Sequence, residues 1–192
     1  MLLVSSSRSG YHHGDLAHAL ESAAMQLLAE KPAQEISLRE VARAADVSHN
    51  APYHHFADRR GLLKVLAERS MAELVDSVRS AVAGAPDPVA ALIAGGSAYL
   101  RFAVEHPHGF DVVYDPTVCI PGEPSATMGP LIVELEQLLG AASIAAGLSD
   151  AEDVLGIWGL VHGLGTLCAA GHFPLDAALA ACAASIRRML PA

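Results

Sequence analysis

Between Ser37 and Phe56 the chain offers two short helical segments with almost nothing between them. Ser37 and Glu40 have capping-box spacing: the serine takes an open N–H and the glutamate reaches back to the serine. Leu38, Val41, Ala42 and Ala45 then fall on one side of a short helix. Asp46-Val47 makes a turn, Ser48 is placed to cap, and the octapeptide HNAPYHHF (49–56) follows. That octapeptide is too polar for core and too poor in cysteine and carboxylate for a metal site. Two short helices about a tight turn form a helix-turn-helix candidate, its second helix spanning roughly 49–55. The bland alternative is a histidine-rich surface turn with no partner. Phe56 is the expected core anchor, and Pro52 is expected at the fourth helical position, where it would forfeit a backbone bond.

The remaining punctuation is helical throughout. After an arm over residues 1–13, Asp15 is placed to cap a stripe of Leu16, Leu20, Ala23, Ala24, Leu27 and Leu28, which Lys31-Pro32 ends. Asp58 is the expected cap of a long helix from about Arg59 to Ala83, and Ala85-Pro86-Asp87-Pro88 marks a soft break. Residues 88–105 are helical in composition. Residues 106–130 carry five prolines and three glycines and leave room for one short helix near Gly109 to Tyr114. Helices follow from about Leu131 to Gly147, from Asp150 to Ala170 after a Ser149/Glu152 capping box, and from Leu175 to about Met189. No strand pattern of useful length occurs. The expected fold class is all-α with about nine helices, divided into domains over 10–58 and 59–192.

The formal net charge is −9, which argues against a generic nucleic-acid binder, but it is unevenly spread. Residues 1–84 hold nine Lys and Arg against ten Asp and Glu, whereas residues 85–192 hold three against eleven. Such a body would approach DNA one end first; alternatively, the acidic half simply keeps an alanine-rich bundle soluble. Three cysteines, Cys119, Cys168 and Cys182, fit a reducing compartment better than a disulfide framework. The start MLLVSSSRSG reads as no signal peptide, and no run approaches eighteen uninterrupted apolar residues, so the expectation is a cytoplasmic protein without a membrane partner. No nucleophile elbow, phosphate loop, dinucleotide fingerprint or convincing carboxylate pair is present, so no enzyme is expected. His106, His108 and Cys119 make only a weak metal set, and no metal or cofactor is expected.

Residues 36–70, ISLREVARAADVSHNAPYHHFADRRGLLKVLAERS, closely resemble the DNA-binding region of the TetR family of bacterial transcriptional regulators. Val41-Ala42, Val47-Ser48, Tyr53, Phe56, Asp58-Arg59 and Leu62-Leu63 carry the likeness, and GYHHGDLAHALESAA (10–24) resembles the arm and first helix of some members. Two departures stand out: Arg59 where many members have lysine, and Gly61 near a common glutamate. The resemblance implies double-stranded DNA as partner. It makes His49 and Asn50 the base-edge candidates, since asparagine pairs bidentately with adenine. Tyr53, His55 and Arg59 become phosphate contacts, and Ser37 and Arg39 candidates for touching the backbone. Arg39 pairing with a nearby acid is the alternative for that residue. Arg8, His12 and His13 either follow the DNA or form a plain tail.

The resemblance also implies a homodimer, with the last two helices of each chain meeting across the axis. Gly156, Gly159, Leu160, Gly163, Leu167, Leu179, Cys182 and Ile186 are the interface candidates, small residues letting backbones approach. WGLVHG (158–163) resembles the Trp–His–Gly signature of one C-terminal domain type among these regulators. An effector pocket is implied in the second domain, with Tyr99, Phe102, Phe110, Tyr114, Met128, Trp158 and His162 as candidates. Such residues are more often plain core, and His162 is first a satisfied core or interface histidine. The available lining is apolar, which suits a neutral or amphipathic small molecule. The expected function is a ligand-responsive transcriptional regulator, a repressor in the family's usual mode. The rival is a helical dimeric small-molecule-binding protein without DNA binding.

Overall fold

The computed structural model describes residues 11–148 and 150–191, with side chains from Leu16 onward. The described residues form nine α-helices and one 3-10 turn, and no strand. Contacts divide the chain into two compact units, one through Ala67 and one from Glu68, so the division falls inside a helix.

The first unit holds α1 (Tyr11–Glu30), the 3-10 turn (Ala33–Glu35), α2 (Leu38–Ala44), α3 (Ala51–His55) and the first turns of α4 (Arg59–Ala83). Leu20, Ala24, Ile36, Val41, Phe56, Leu62 and Leu66 make its core, each at most 1 % exposed. The capping box forms: Ser37 Oγ accepts from Glu40 N at 3.3 Å, and Glu40 Oε2 accepts from Ser37 N at 3.0 Å. Lys31, just beyond α1, adds a bond from Nζ to Glu40 Oε1 at 2.6 Å, tying α1 to α2. The Lys31 bond first, and the two Ser37 bonds after it, hold the Glu40 carboxyl down at about 2. Asp46 ends α2 in the left-handed region at φ 52°. Its N–H bonds to Arg43 O and that of Val47 to Ala42 O, the paired closure that satisfies a helix's last carbonyls. Asp58 caps α4, accepting from Gly61 N at 2.8 Å, so the first turn is closed even though glycine stands at 61.

Several boundaries differ from the sequence expectations. α1 begins at Tyr11 and runs through Gly14, so Asp15 lies inside the helix rather than capping it. Residues 1–10, including Arg8, lie outside the described residues, as do the side chains of His12 and His13. α3 begins at Ala51, which puts Pro52 in the first turn, where no N–H is needed and nothing is forfeited. Ser48 uses its carbonyl, not its side chain, toward Ala51, and Asn50 holds the cap position.

The second unit is built on α5 (Pro88–Glu105), which packs against α6 (Pro107–Val113), α7 (Met128–Ala145), α8 (Ala151–Ala169) and α9 (Leu175–Met189). Glycines let those helices close on α5. A Cβ at Gly96 would stand 3.1 Å from Cys182 Sγ and 3.3 Å from Val161 Cγ2, and one at Gly165 3.2 Å from Ala103 Cβ. α6 starts two residues earlier than expected because Pro107 opens it. α7 starts at Met128, where Ser125 Oγ accepts the Met128 N–H at 3.0 Å. Ser149 lies outside the described residues, and Asp150 holds the cap position of α8. By length and composition α7 is apolar enough to cross a membrane. Its Glu134 is held by Arg79, whose Nε donates to Glu134 Oε1 at 2.8 Å.

Two outcomes follow for the first unit. Replacing Asp46 by valine puts a β-branched residue in the left-handed region and lowers unfolding stability by about 1–2 kcal/mol, while Asp46→Gly does not; urea unfolding measures both. Glu40 has a folded value below its ordinary 4.5, so its contribution is present above that value and disappears as pH falls toward 2. Thermal unfolding across that window is steeper in the parent than in Glu40→Gln.

Candidate DNA-binding surface and apolar cleft

In the first unit α3 buries one side and shows the other. Ala51, Pro52 and Phe56 face the core, while Tyr53 is 51 % exposed and His54 and His55 are exposed beside it. His49 and Asn50 are exposed in the turn that leads into α3. Arg39, Ala42, Arg43, Asp46, Val47, Ser48 and His49 line an open groove along α2 and that turn. Arg60 and Lys64, exposed on α4, add cations to the unit's surface.

Three of the expected DNA contacts are also engaged within the unit. Ser37 is spent on its capping box. His55 Nε2 lies 3.0 Å from Glu21 Oε1 of α1. Arg59 donates from Nε to Ile36 O at 3.4 Å and from a terminal nitrogen to Gln34 O, fastening the start of α4 to the 3-10 turn. A guanidinium has five N–H groups, so Arg59 keeps donors beyond these two. Arg39, His49, Asn50 and Tyr53 are the expected contacts whose side chains are exposed and make no such bond.

The second unit contains a narrow cleft of about 50 Å³. Val78 and Val82 of α4, Leu92, Gly95, Gly96 and Tyr99 of α5, Leu135, Leu138 and Leu139 of α7, and Ile157, Trp158 and Val161 of α8 line it, with Ala91 and Ala142. No lining side chain is charged. Of the expected ligand residues, Tyr99 and Trp158 line this cleft. Phe110, Tyr114 and His162 stand behind Tyr99. Phe102 is buried against the His106 ring, 5.0 Å between centroids, and Met128 is buried at the start of α7.

Behind Tyr99 lies a polar chain that the sequence did not reveal. Tyr99 OH is 2.6 Å from Tyr114 OH and 2.9 Å from His162 Nδ1. Phe110 packs edge-on to Tyr99 with centroids 5.6 Å apart, and the Tyr114 and His162 rings meet at 4.5 Å. Burial pushes the Tyr99 hydroxyl well above the ordinary tyrosine value, raises that of Tyr114, and lowers His162 below the ordinary histidine value. Among the described residues no three His, Cys, Asp or Glu side chains gather to hold a metal ion.

The expected interface residues split. Gly159, Gly163 and Leu167 lie on α8 with open space around both glycines, and Leu167 is 44 % exposed. Gly156 is exposed near Met189, and Leu160 and Leu179 are half-buried. Cys182 and Ile186 must be corrected: both are fully buried in their own chain, where α9 packs on α5, and neither presents a face to a partner. Leu155, 64 % exposed on α8, was not anticipated.

The described residues thus set a helix-turn-helix unit ahead of a helical unit that holds an apolar cleft. Residues 20–66 match the family model described as bacterial regulatory proteins, tetR family, and residues 92–191 match that described as tetracyclin repressor-like, C-terminal domain. The chain belongs to the TetR family. A solved protein of unknown function from Rhodococcus sp. RHA1 is similar at 29 % identity and TM-score 0.77, covering 95 % of this chain and 99 % of that one. A tetR-family transcriptional regulator from Streptomyces coelicolor shares the fold at 19 % identity and TM-score 0.71, covering 91 % and 80 %. No curated protein matches the chain.

His162 gives a direct check on the cluster. With its folded value depressed by burial, the unfolded chain binds more protons in the window below 6.5, so stability falls as pH drops through it. The His162 ring, followed by NMR, titrates below 6.5; titration at or above that value contradicts the burial given to it here.

Proposed function

We propose that the protein is a ligand-responsive transcriptional regulator that binds an inverted-repeat operator as a homodimer, represses, and is released by a small, largely apolar molecule. The observation that carries this is the exposed edge of the helix-turn-helix unit. His49, Asn50 and Tyr53 stand together in solvent above a buried Phe56, with Arg39 and Arg43 exposed beside them. Asn50 reads a base edge, and the arginines and Tyr53 hold phosphates. His55 and Arg59 fix the frame through Glu21 and the 3-10 turn, and Arg59 retains donors for a phosphate.

The stripe of Leu155, Gly159 and Leu167, exposed on α8 with Gly163 half-buried among them, supports a dimer built there, with Gly156, Leu160 and Leu179 at its margin. The sequence WGLVHG supports a C-terminal domain of the Trp–His–Gly type, its tryptophan at the cleft and its histidine in the Tyr99 network. The cleft is the effector site in this reading. At about 50 Å³ it is far below the roughly 300–1,000 Å³ of ligand pockets, so binding requires it to widen. α7 is the wall suited to move, since Met128, Ala142 and Ser143 are its only buried residues. A shift there reaches α4, whose Val78 and Val82 line the cleft and whose first turns pack in the DNA-binding unit. The effector acts by binding one arrangement better than the other.

The engagement of His55 and Arg59 within the chain favours one rival, a ligand-binding dimer that no longer reads DNA. Selection of genomic fragments by the purified protein separates the two. The regulator enriches a short inverted repeat. Asn50→Ala weakens binding by about 1–3 kcal/mol and relaxes the sequence preference, whereas Arg43→Ala weakens it evenly and lowers the salt slope by about one. No enrichment, or enrichment indifferent to Asn50 and Tyr53, leaves the rival.

A further inference from the structure

The helical period divides α9 into two faces. Ala178, Cys182 and Ile186 make the inner face, each fully buried where α9 packs on α5. A Cβ at Gly96 of α5 would stand 3.1 Å from Cys182 Sγ and 3.8 Å from Ile186 Cδ1. Turned away from that face are Asp176, Ala180, Ala183 and Arg187, whose spacing keeps them in one line along the helix. Asp176, Ala180 and Arg187 are exposed and Ala183 is half-buried.

An acid in the first turn and a base in the last suit the helix dipole on any face. The dipole does not dictate that both stand on the outer face with only alanine in line between them. The two arginines at the end of α9 also differ. Arg188 turns to its own helix, donating to Ser185 Oγ at 3.0 Å, whereas Arg187 is engaged by no bond among the described residues. Asp176 spends one carboxylate oxygen on the N–H of Ala177 at 2.9 Å and keeps the other.

From either end the line is the same in size and opposite in charge. The midpoint between Asp176 and Arg187 is also the midpoint between Ala180 and Ala183. About a two-fold axis through that midpoint, two copies of α9 run antiparallel. Asp176 then meets the partner subunit's Arg187, Arg187 meets the partner subunit's Asp176, and each Ala180 meets the partner subunit's Ala183. Alanine lets the helices close to about 8 Å. The charged ends lie roughly 16 Å apart along the helix, so both ion pairs form at once. A parallel pairing instead sets acid against acid and base against base.

We propose that the outer face of α9 docks a second copy of this chain, antiparallel, with two Asp176–Arg187 ion pairs between subunits that set the register and reject a partner of different charge pattern. This rests on the homodimer of the proposed function; α8 supplies apolar area there, and α9 supplies the choice of partner.

Charge reversal tests this. Asp176→Arg and Arg187→Asp are made in separate full-length chains, each shown to be folded by circular dichroism and melting. Dimerisation is measured by sedimentation at low salt, where surface charges are least screened. Each variant alone sets like charges together at both ends of the line, and its dimer dissociation constant rises at least about tenfold. Mixed one to one, the two variants face each other with opposite charges at both ends. Native mass spectrometry then finds the heterodimer, and sedimentation places its affinity within about threefold of the parent. Either variant dimerising as tightly as the parent, or a mixture no tighter than its components, overturns the inference and leaves a dimer built on α8. If a reversed chain does not fold, Asp176→Asn and Arg187→Gln replace the pair. Their effects on the dimer constant overlap when the two side chains pair, and simple additivity overturns the inference. A parent that sediments only as a monomer overturns the homodimer reading, and the inference with it.

Discussion

A tyrosine hydroxyl buried in an aliphatic bundle needs partners, since an unmade bond there costs roughly 1–3 kcal/mol. Tyr99, 4 % exposed on α5, meets that need with Tyr114 beyond the end of α6 and His162 on α8. Those two bonds fix where α8 sits along α5 and hold the chain after α6 against both. Burial beside them disfavours the charged form of His162. The aromatic cluster beside the apolar cleft is organised about that one buried hydroxyl.

The first unit depends on a different kind of tie. Its α2 and α3, of seven and five residues, are too short to be stable alone, so the elements around them are tied by specific bonds. The Ser37–Glu40 box, extended by Lys31, joins α1 to α2, and Arg59 joins α4 to the 3-10 turn. With the frame held at its ends, α3 can bury Pro52 and Phe56 and leave Asn50 and Tyr53 outward. Rigid support under an exposed polar edge is what groove recognition requires.

Local signals in the sequence were legible where they were chemical. The Ser37/Glu40 box, the Asp58 cap, the Asp46 turn and the stops at Gly147 and Gly171 all stand where residue type places them, the two glycines at φ 94° and 79°. Start sites set by proline were harder. Pro52 and Pro107 are both compatible with a helix interior broken or a first turn opened, and only the fold shows that each opens its helix. Pairings distant in sequence were not legible. Nothing in the periodicity links Arg79 to Glu134 or Tyr99 to Tyr114 and His162, because a side chain's partner across a bundle depends on helix rotation. Tyr99, Tyr114, Trp158 and His162 stood out by type, but their grouping did not. Cys182 and Ile186 fall on an apolar stripe that serves an inner face as readily as an outer one, and α5 covers them.

The central claim is that two copies of α3, held by a dimer built on α8, read one operator. Hydroxyl-radical footprinting of the protein on an enriched fragment tests this most directly. The account predicts two equivalent protected stretches related by the repeat's symmetry, with centres roughly 34–36 Å apart along the duplex. A single protected patch, or protection without that spacing, contradicts it.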